Sequence, residues 1–230
     1  MTPGRFVIIC DHASNSIPPE LDGLGLAPAE LARHIAWDIG AAGIATELSR
    51  LLDAPAVLST ASRLVIDCNR HLDAADLIPE RSDGTAIPGN SSLTAEARAA
   101  RIERWFDPYH AAVEAVLAGS EAPIVLSIHS MTANLAGAVR PWQIALSSYD
   151  DRTLVEPMLA ALRRPGDVVV GDNQPYGMDP AVDFSIPFHA MRRGLRYLQV
   201  EFRQDEVATA DGQVSWARRF FAALSAARLR

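Results

Sequence analysis

The chain contains no lysine, because all 21 of its basic residues are arginine. A mechanism that needs a lysine Schiff base or a lysine general base is therefore excluded. Arginine remains the only permanent cation, and its planar guanidinium can bind a carboxylate through two parallel hydrogen bonds. The formal net charge is −7. This acidic balance disfavours a nucleic-acid partner, since such partners select basic surfaces.

Other absences narrow the class of protein further. No apolar run reaches about eighteen residues, the length of a membrane-spanning helix, so no membrane partner is expected. The first apolar run, FVIIC, is too short for the core of a signal peptide. Only two cysteines are present, Cys10 and Cys68, and both lie in apolar runs, as reduced core residues of a cytoplasmic protein do. Neither a glycine-rich phosphate loop nor the G-x-S-x-G elbow of a serine hydrolase occurs.

Short apolar segments alternate with amphipathic segments along the 230 residues. The predicted strands are RFVIIC, APAVLST, SRLVID, APIVLSIHS, WQIALSS, DVVVGD and LRYLQVEF. A helix is predicted over 28–52, either continuous or divided into two short helices that meet near Asp38, because Gly40 and Gly43 weaken its middle. Further helices are predicted over 93–119, with a kink at Pro108, over 154–162 and over 214–229. This alternation predicts an α/β fold with a mixed, mostly parallel sheet covered by helices on both faces. The length and the lack of repeats or linkers favour a single domain over residues 1–230.

Four of the predicted strands end in reactive residues, in the segments IICDHASN, RLVIDCNR, VLSIHS and LQVEFRQ. In a sheet of this kind, sites form where loops leave the carboxyl ends of the strands. We therefore expect the polar side chains of these four ends to converge on one edge of the sheet: Asp11, His12, Asp67, Asn69, Arg70, His129 and Glu201. The repetition carries more weight than any single motif.

His12 and His129 each follow a core strand directly, so a rigid element would hold each imidazole. A catalytic zinc site commonly has three protein ligands and one open position, and histidine is a common ligand. The pair predicts a site for Zn²⁺ or another divalent metal, although either histidine alone is better explained as a cap on its strand. The third ligand stays open between Asp38, which could instead cap a helix, and Asn15, whose amide binds zinc poorly.

Glu201 ends the last predicted strand, where burying a carboxylate is costly unless the chemistry needs it. A zinc hydrolase requires a base that takes a proton from water and returns it to the leaving nitrogen, and Glu201 is the candidate. Its alternative role is a surface ion pair with Arg203 or Arg196. Arg63 is a candidate for stabilising an oxyanion or a second carboxylate, or else it forms a structural salt bridge. His189 either lines the pocket or is a loop histidine with partners of its own.

Several motifs occur in order from about Phe6 to Asp205: CDHASNSIP, RHIAWDIGA, SRLVIDCNR, IPGN, DPYHAAV, SIHSM and VGDNQPYG. Together they resemble the N-formylglutamate amidohydrolase family. IDCNR, SIHS and VEFR resemble, more distantly, the zinc carboxypeptidases and the aspartoacylase and succinylglutamate desuccinylase enzymes. The resemblance implies a mixed α/β sheet of the zinc-carboxypeptidase (phosphorylase/hydrolase-like) type. It also implies metal-assisted hydrolysis of a small-molecule N-acyl amino acid, with N-formylglutamate and histidine degradation as the best guess.

The resemblance also implies roles for particular residues. Carried over by position, these are the metal ligands His12 and His129, the substrate-carboxylate binders Asn69 and Arg70, and the catalytic glutamate Glu201. The distant relatives place a glutamate ligand three residues after the first histidine, where this chain has Asn15, so Asp38 is the remaining candidate for that position.

Two other functions stay open. The same residues could serve a carboxypeptidase-like or aminoacylase-like hydrolase that cleaves a different bond. They could also form a binding protein that has kept the pocket without the metal, which Asn15 in place of glutamate favours. Residues 71–92 form a long polar loop, which is either a lid over the site or plain surface.

Overall fold

The architecture centres on a mixed β-sheet, seen in a computed structural model that describes residues 5–135 and 137–229. Within these residues the strands are β1 (Phe6–Cys10), β2 (Ala56–Leu58), β3 (Arg81–Ser82), β4 (Thr85–Ala86), β5 (Ile124–Met131), β6 (Asn134–Leu135), β7 (Ala138–Val139), β8 (Ile144–Ser147), β9 (Val170–Asp172) and β10 (Tyr197–Arg203). Six of them form one sheet in the order β2-β1-β5-β10-β8-β9, and β3–β4 and β6–β7 are short hairpins. Neighbouring strands of the sheet are parallel except β8 and β10. The predicted mixed, mostly parallel sheet is confirmed.

Helices cover both faces of this sheet. The α-helices of the described residues are α1 (Pro28–Leu31), α2 (Ala41–Leu52), α3 (Ala95–Arg101), α4 (Asp107–Ala118), α5 (Val155–Arg163), α6 (Ser185–His189), α7 (Gln204–Val207) and α8 (Ala210–Ala226). Short 3₁₀ turns lie at Pro19–Gly25, Pro88–Asn90 and Met191–Arg193. Buried side chains of α2, α5 and α8 pack on one face, and those of α4 and α6 on the other. None of the described helices combines the length and apolar character needed to cross a bilayer.

The two faces of the sheet follow from the two-residue period of its strands. In β5, Leu126 and Ile128 point to the face covered by α2 and α8, whereas Val125 points to the face covered by α4. On that second face the inward residues change character along the strands. Ser127 and His129 follow Val125 at two-residue intervals, beside Gln199 and Glu201 of β10. The α4 face is therefore apolar at one end and polar at the carboxyl ends of these strands.

The predicted strand SRLVID is wrong. Residues 62–67 are not in a strand; a turn lies at 63–65, where the amide of Val65 donates to the carbonyl of Ser62 at 2.9 Å. The apolar side chains of this segment are buried in the core on the α4 face, so tertiary packing explains its composition without any strand pairing. β2 is the edge strand on this side of the sheet. Asp67 and Asn69 thus reach the site from a turn that packs against the sheet, and not from a strand end.

Of the two predictions for 28–52, a continuous helix is wrong and two short helices are present, α1 and α2, with the irregular residues 32–40 between them. Gly40 ends this irregular segment with a φ of 84°, a left-handed conformation that glycine adopts readily. A Cβ at this position would also collide with the backbone of Val207. The irregular segment positions Asp38, whose amide donates to the carbonyl of His12 at 2.9 Å.

The helix predicted over 93–119 is confirmed as α3 and α4, joined by a π turn at Ile102–Phe106. Thr94 caps its start, since the side chain accepts a hydrogen bond from the amide of Ala97 at 3.2 Å. Pro108, where a kink is predicted, lies two residues after the end of the π turn, in the first turn of α4. A proline lacks an amide proton and crowds the carbonyl four residues earlier, and the wider π turn accommodates such a defect. The helices predicted over 154–162 and 214–229 correspond to α5 and α8.

Candidate active site

Most of the predicted site residues line one cavity of about 360 Å³. The cavity lies on the α4 face, at the carboxyl ends of β1 and β5. His129 and Glu201 face it as direct neighbours across β5 and β10. The predicted residues in its lining are His12, Asp38, Arg63, Asn69, Arg70, His129 and Glu201. The expected convergence at one edge of the sheet is therefore present.

His12 is held by a carboxylate on one side of its ring. Its Nε2 lies 2.7 Å from Oδ1 of Asp67, and this oxygen also accepts a hydrogen bond from the amide of Asn69 at 2.9 Å. Because an ionised carboxylate can only accept, Nε2 carries the proton that is donated to Asp67. In the neutral ring, Nδ1 is then left with a lone pair. That atom lies 3.5 Å from Oδ2 of Asp38 and 3.7 Å from Oδ1 of Asp11.

His129 is flanked by the same two carboxylates. Its Nδ1 lies 3.1 Å from Oδ2 of Asp38, and its Nε2 lies 3.4 Å from Oδ1 of Asp11 and 2.9 Å from Oγ of Ser127. Asp38 also accepts a hydrogen bond from the amide of Ser130 at 3.1 Å. The two imidazole rings therefore meet around Asp38, with their centroids 5.2 Å apart.

Asp11 is the unpartnered member of this group. It is only 1% exposed, and within the described residues neither of its carboxylate oxygens has a hydrogen-bond donor. The Nδ1 atom of His12 is also buried without a hydrogen-bond partner there. Asp11, His12 and His129 each offer a ligand atom, and these atoms lie within 4.8 Å of one another. Buried acceptors that face each other need a cation or protons between them, so this donor set fits a metal ion.

The carboxylates perturb the acid–base properties of both histidines. Burial and Arg63 by themselves would lower the pKa of His12, but Asp67, Asp11 and Asp38 raise it to about 9. Burial would likewise lower the pKa of His129, and the carboxylates around it raise that value to about 10. The environment thus attracts positive charge at the two rings strongly, which is the property that a divalent cation exploits.

Glu201 is buried beside His129 and faces the cavity. Burial raises the pKa of its carboxyl group to about 7, although His129 opposes the shift. No hydrogen bond or ion pair joins it to Arg203, which pairs with Asp205 at 2.7 Å and Glu206 at 3.1 Å. The alternative role of Glu201 as a partner of Arg203 is therefore wrong. A carboxyl group that titrates near neutrality can both accept and return a proton.

Arg63 lines the cavity but is already paired. Its Nη2 lies 2.6 Å from Oδ2 of Asp67 and its Nη1 lies 3.7 Å from Oδ1 of Asp38. It therefore neutralises part of the charge of the carboxylate that holds His12. Burial raises the pKa of Asp67, but Arg63 and then His12 outweigh it and hold that pKa well below its usual range. The predicted structural salt bridge is present.

Asn69 and Arg70 also line the cavity, and both have partners within the protein. The side-chain oxygen of Asn69 accepts hydrogen bonds from the amides of Phe184 and Ser185, at 3.0 and 2.9 Å. Its amide nitrogen donates to Asp183 at 3.0 Å. Nε of Arg70 donates to Asp76 at 2.8 Å. Asn69 thus anchors the start of α6 as well as facing the cavity.

His189 does not line the cavity. It is fully buried between α4 and α6, and its Nε2 lies 2.8 Å from Nδ1 of His110. Its predicted place in the pocket is wrong, because the residue ends α6 on the side that packs against α4. The alternative, a histidine with a partner of its own, describes it. Asn15 is also outside the lining, and its amide nitrogen donates to the carbonyl of Leu31 at 2.9 Å.

Some residues of the site are not predicted from the sequence as ligands or as lining residues. Asp11 precedes His12 directly at the end of a strand, which could have marked it as a ligand candidate. Ser127 lies two residues before His129, so the period of the strand places both on one face. Arg140 and Tyr176 also line the cavity, but they lie in segments between strands, where no periodicity indicates a direction.

The fold and the site together define a class: an α/β protein with a buried group of histidines and carboxylates beside a cavity. The chain belongs to the N-formylglutamate amidohydrolase family, whose model matches residues 4–208. This membership confirms the family resemblance of the sequence and implies a hydrolase.

Solved structures agree with this assignment. The chain is similar to the gene product Atu2144 from Agrobacterium tumefaciens, with 33% identity and a TM-score of 0.90, over 96% of this chain and 91% of that one. It also shares its fold with the N-formylglutamate amidohydrolase from Ralstonia eutropha JMP134, with 20% identity and a TM-score of 0.71, over 98% and 93% of the two chains. A comparison with curated proteins gives no match.

Proposed function

We propose that this protein is a metal-dependent amidohydrolase that removes a small acyl group, namely formyl, from the nitrogen of an acidic amino acid, with N-formylglutamate as the substrate. The observation that carries the proposal is the group of buried acceptors around His12 and His129, which faces a cavity together with Glu201. Family membership supports the hydrolase class, and the named relative from Ralstonia eutropha supports the choice of substrate.

Zn²⁺ or another divalent ion would be held by His12, His129 and Asp38. We favour Asp38 as the third ligand because it lines the cavity and lies 3.5 and 3.1 Å from the two rings. Asp11 is the other candidate carboxylate, since it groups with the two histidines, although it does not line the cavity. When bound, such an ion polarises the scissile carbonyl and makes water more acidic.

The residues of the chain would then divide the remaining work. Asp67 holds the proton on Nε2 of His12 and so keeps Nδ1 free to act as a ligand. Glu201 accepts a proton from the attacking water and returns it to the leaving nitrogen, for which a pKa near neutrality is suited. Arg63 steadies the negative charge that develops on the carbonyl oxygen. Asn69 and Arg70 hold a carboxylate of the substrate.

Metal content tests the first half of the proposal. Mass spectrometry on the untagged protein is expected to find near-stoichiometric zinc or another divalent ion in the wild type. His12→Ala and His129→Ala are both expected to lose it. Asp38→Asn and Asp11→Asn decide the third ligand, since the variant of the true ligand binds the ion more weakly. Wild-type protein that holds no metal after zinc is added and the excess removed would contradict the metal-dependent mechanism and favour a binding protein.

The variant Glu201→Gln tests the second half of the proposal, the role of Glu201 as the general base. The variant is expected to keep its metal and its substrate affinity, while kcat falls by roughly 10²–10⁴-fold, because the amide cannot take the proton. The assay compares N-formyl, N-acetyl and N-succinyl amino acids with dipeptides, which separates the proposal from an aminoacylase-like or carboxypeptidase-like hydrolase. Near-normal turnover by Glu201→Gln would show that Glu201 is not the general base. The cytoplasmic location, the single domain and the place in histidine degradation stay predictions.

A further inference from the structure

Arg140 lines the cavity and has no part in the chemistry described so far. It follows β7, and its backbone is fixed on both sides. Its amide donates to the carbonyl of Ala133 at 2.9 Å, and its carbonyl accepts a hydrogen bond from Nη1 of Arg203 at 3.2 Å. The residue is only 7% exposed. A rigid segment therefore holds a permanent cation in a nearly buried position.

The partners of this guanidinium are neutral. Nη2 donates to the hydroxyl of Tyr176, and Nη1 donates to Oγ1 of Thr132 at 3.3 Å. The guanidinium carbon also lies 4.8 Å from the centroid of the Tyr176 ring. A guanidinium has five N–H donors, so these contacts orient the group and leave donors free for a further acceptor.

The other two arginines of the cavity differ from Arg140 in this respect. Arg63 lies 2.6 Å from Asp67, and Arg70 lies 2.8 Å from Asp76. Within residues 5–135 and 137–229, no carboxylate lies within 4.0 Å of the Arg140 guanidinium. Removing an arginine from water without an anion is costly, and such a group is seldom buried unless it has a charged partner. The cavity itself is where that partner can enter.

We infer that Arg140, held in place by Tyr176, is the residue that binds the second carboxylate of the acidic substrate. The inference rests on the proposed function, which assigns one carboxylate to Asn69 and Arg70. Bidentate binding by a planar guanidinium distinguishes a carboxylate from the amide of the same shape. Arg140 is then the residue that separates a glutamate derivative from its glutamine counterpart.

The test uses N-formyl-L-glutamate and N-formyl-L-glutamine, which differ only in that carboxylate. Wild-type protein is expected to prefer the glutamate compound. Arg140→Gln is expected to lower kcat/KM for it by roughly 10–100-fold, the range for a lost hydrogen bond to a charged group. The value for the glutamine compound is expected to change little. Tyr176→Phe should cause a smaller loss in the same direction, since it removes only the group that orients the guanidinium.

Two controls accompany these variants. Arg219→Gln removes one positive charge from an exposed ion pair with Asp167, outside the cavity lining. It should change kcat/KM for neither substrate. Arg140→Lys keeps the charge but loses the planar fork, so it should recover only part of the preference. Circular dichroism and thermal melts establish that each variant is folded. If Arg140→Gln does not fold, Arg140→Lys and Tyr176→Phe carry the test.

The outcomes separate this inference from the proposed function. If wild-type protein hydrolyses these compounds but the variants affect both alike, or neither, the subsite is wrong and the hydrolase stands. If wild-type protein hydrolyses neither compound, the proposed function fails, and calorimetric binding of the same two compounds decides the subsite. The subsite is then supported if wild-type protein binds the glutamate compound more tightly than the glutamine compound and Arg140→Gln loses this difference. Equal affinities of wild-type protein for the two compounds overturn the subsite.

Discussion

The buried pair of His110 and His189 makes acid stability a test of the structure that does not depend on the proposed function. The two rings share a 2.8 Å contact between Nδ1 of His110 and Nε2 of His189. Burial, and then the charge of the partner, lowers the pKa of His110 to about 3. Burial and Arg193 lower the pKa of His189 to about 4. Both rings are therefore neutral in the folded protein at any pH near neutrality.

The size of the effect follows from proton linkage. Below a pH of about 6.5 the unfolded chain binds a proton at His110 that the folded chain does not bind, so stability falls as the pH falls. The slope is about 1.4 kcal/mol per pH unit, and the contribution of His110 lost by pH 4.5 is about 2.5 kcal/mol. The loss of stability due to His110 stops growing only when the pH falls to the pKa of His110 in the folded protein.

The variant His110→Phe isolates the contribution of His110 to the pH dependence of stability. A phenyl ring keeps the packing against Phe106 and Phe184, whose centroids lie 4.2 and 4.9 Å from the His110 ring. At pH 7 the variant should be less stable by about 1 kcal/mol, because it loses the hydrogen bond to His189. At pH 4.5 it should match or exceed the wild type, because it no longer takes up the proton.

Urea unfolding at both pH values measures the difference in the free energy of unfolding between the two proteins. The expected shift is about 2 kcal/mol in favour of His110→Phe on going from pH 7 to pH 4.5. Phe188→Leu changes the packing of the same aromatic cluster without removing a titrating group, so its effect should be equal at both pH values. A difference between wild type and His110→Phe that does not depend on pH would refute the buried neutral pair.

Two further predictions concern the residues that support the site. Asp67→Asn is expected to weaken zinc binding by about 10–100-fold, because it removes the carboxylate that orients His12; competition with a chelator measures this, and an unchanged affinity would contradict the orienting role. Asn90→Ala is expected to lower the free energy of unfolding by about 2–4 kcal/mol, because it deprives the buried Arg101, the buried carbonyl of Leu64 and the half-buried carbonyl of Pro79 of hydrogen bonds. Urea unfolding measures it, with Asn90→Asp, which keeps the acceptor for Arg101, as the milder control.

The sequence predicts the site residues at strand ends well, because a strand fixes the position of each residue and the face to which its side chain points. His12 follows the fully buried β1, and His129 and Glu201 lie at matching positions of β5 and β10. Once these strands are recognised, the parallel arrangement brings their carboxyl ends to one edge of the sheet. The α/β class and the convergence of the site follow from the same few elements.

Other parts of the site depend on tertiary packing that no local pattern encodes. The segment SRLVID is apolar and β-branched, yet it packs as a turn against the α4 face, since β2 already ends the sheet there. His189 ends the short helix α6, and only the contact of its ring with His110 shows that it faces α4 and not the cavity. Arg140 follows a two-residue hairpin strand, and nothing in its sequence neighbourhood distinguishes it from a surface arginine.

The buried centre of the site carries an excess of negative charge. Three buried aspartates, Asp11, Asp38 and Asp67, surround His12 and His129, and Arg63 is the permanent cation paired with them. Two formal negative charges are thus left over when both rings are neutral. Protonating both rings balances them, and so does one divalent ion with neutral rings. The high pKa values of the rings and the fit to a metal therefore have the same cause, and protons and the metal must compete for the same two nitrogens.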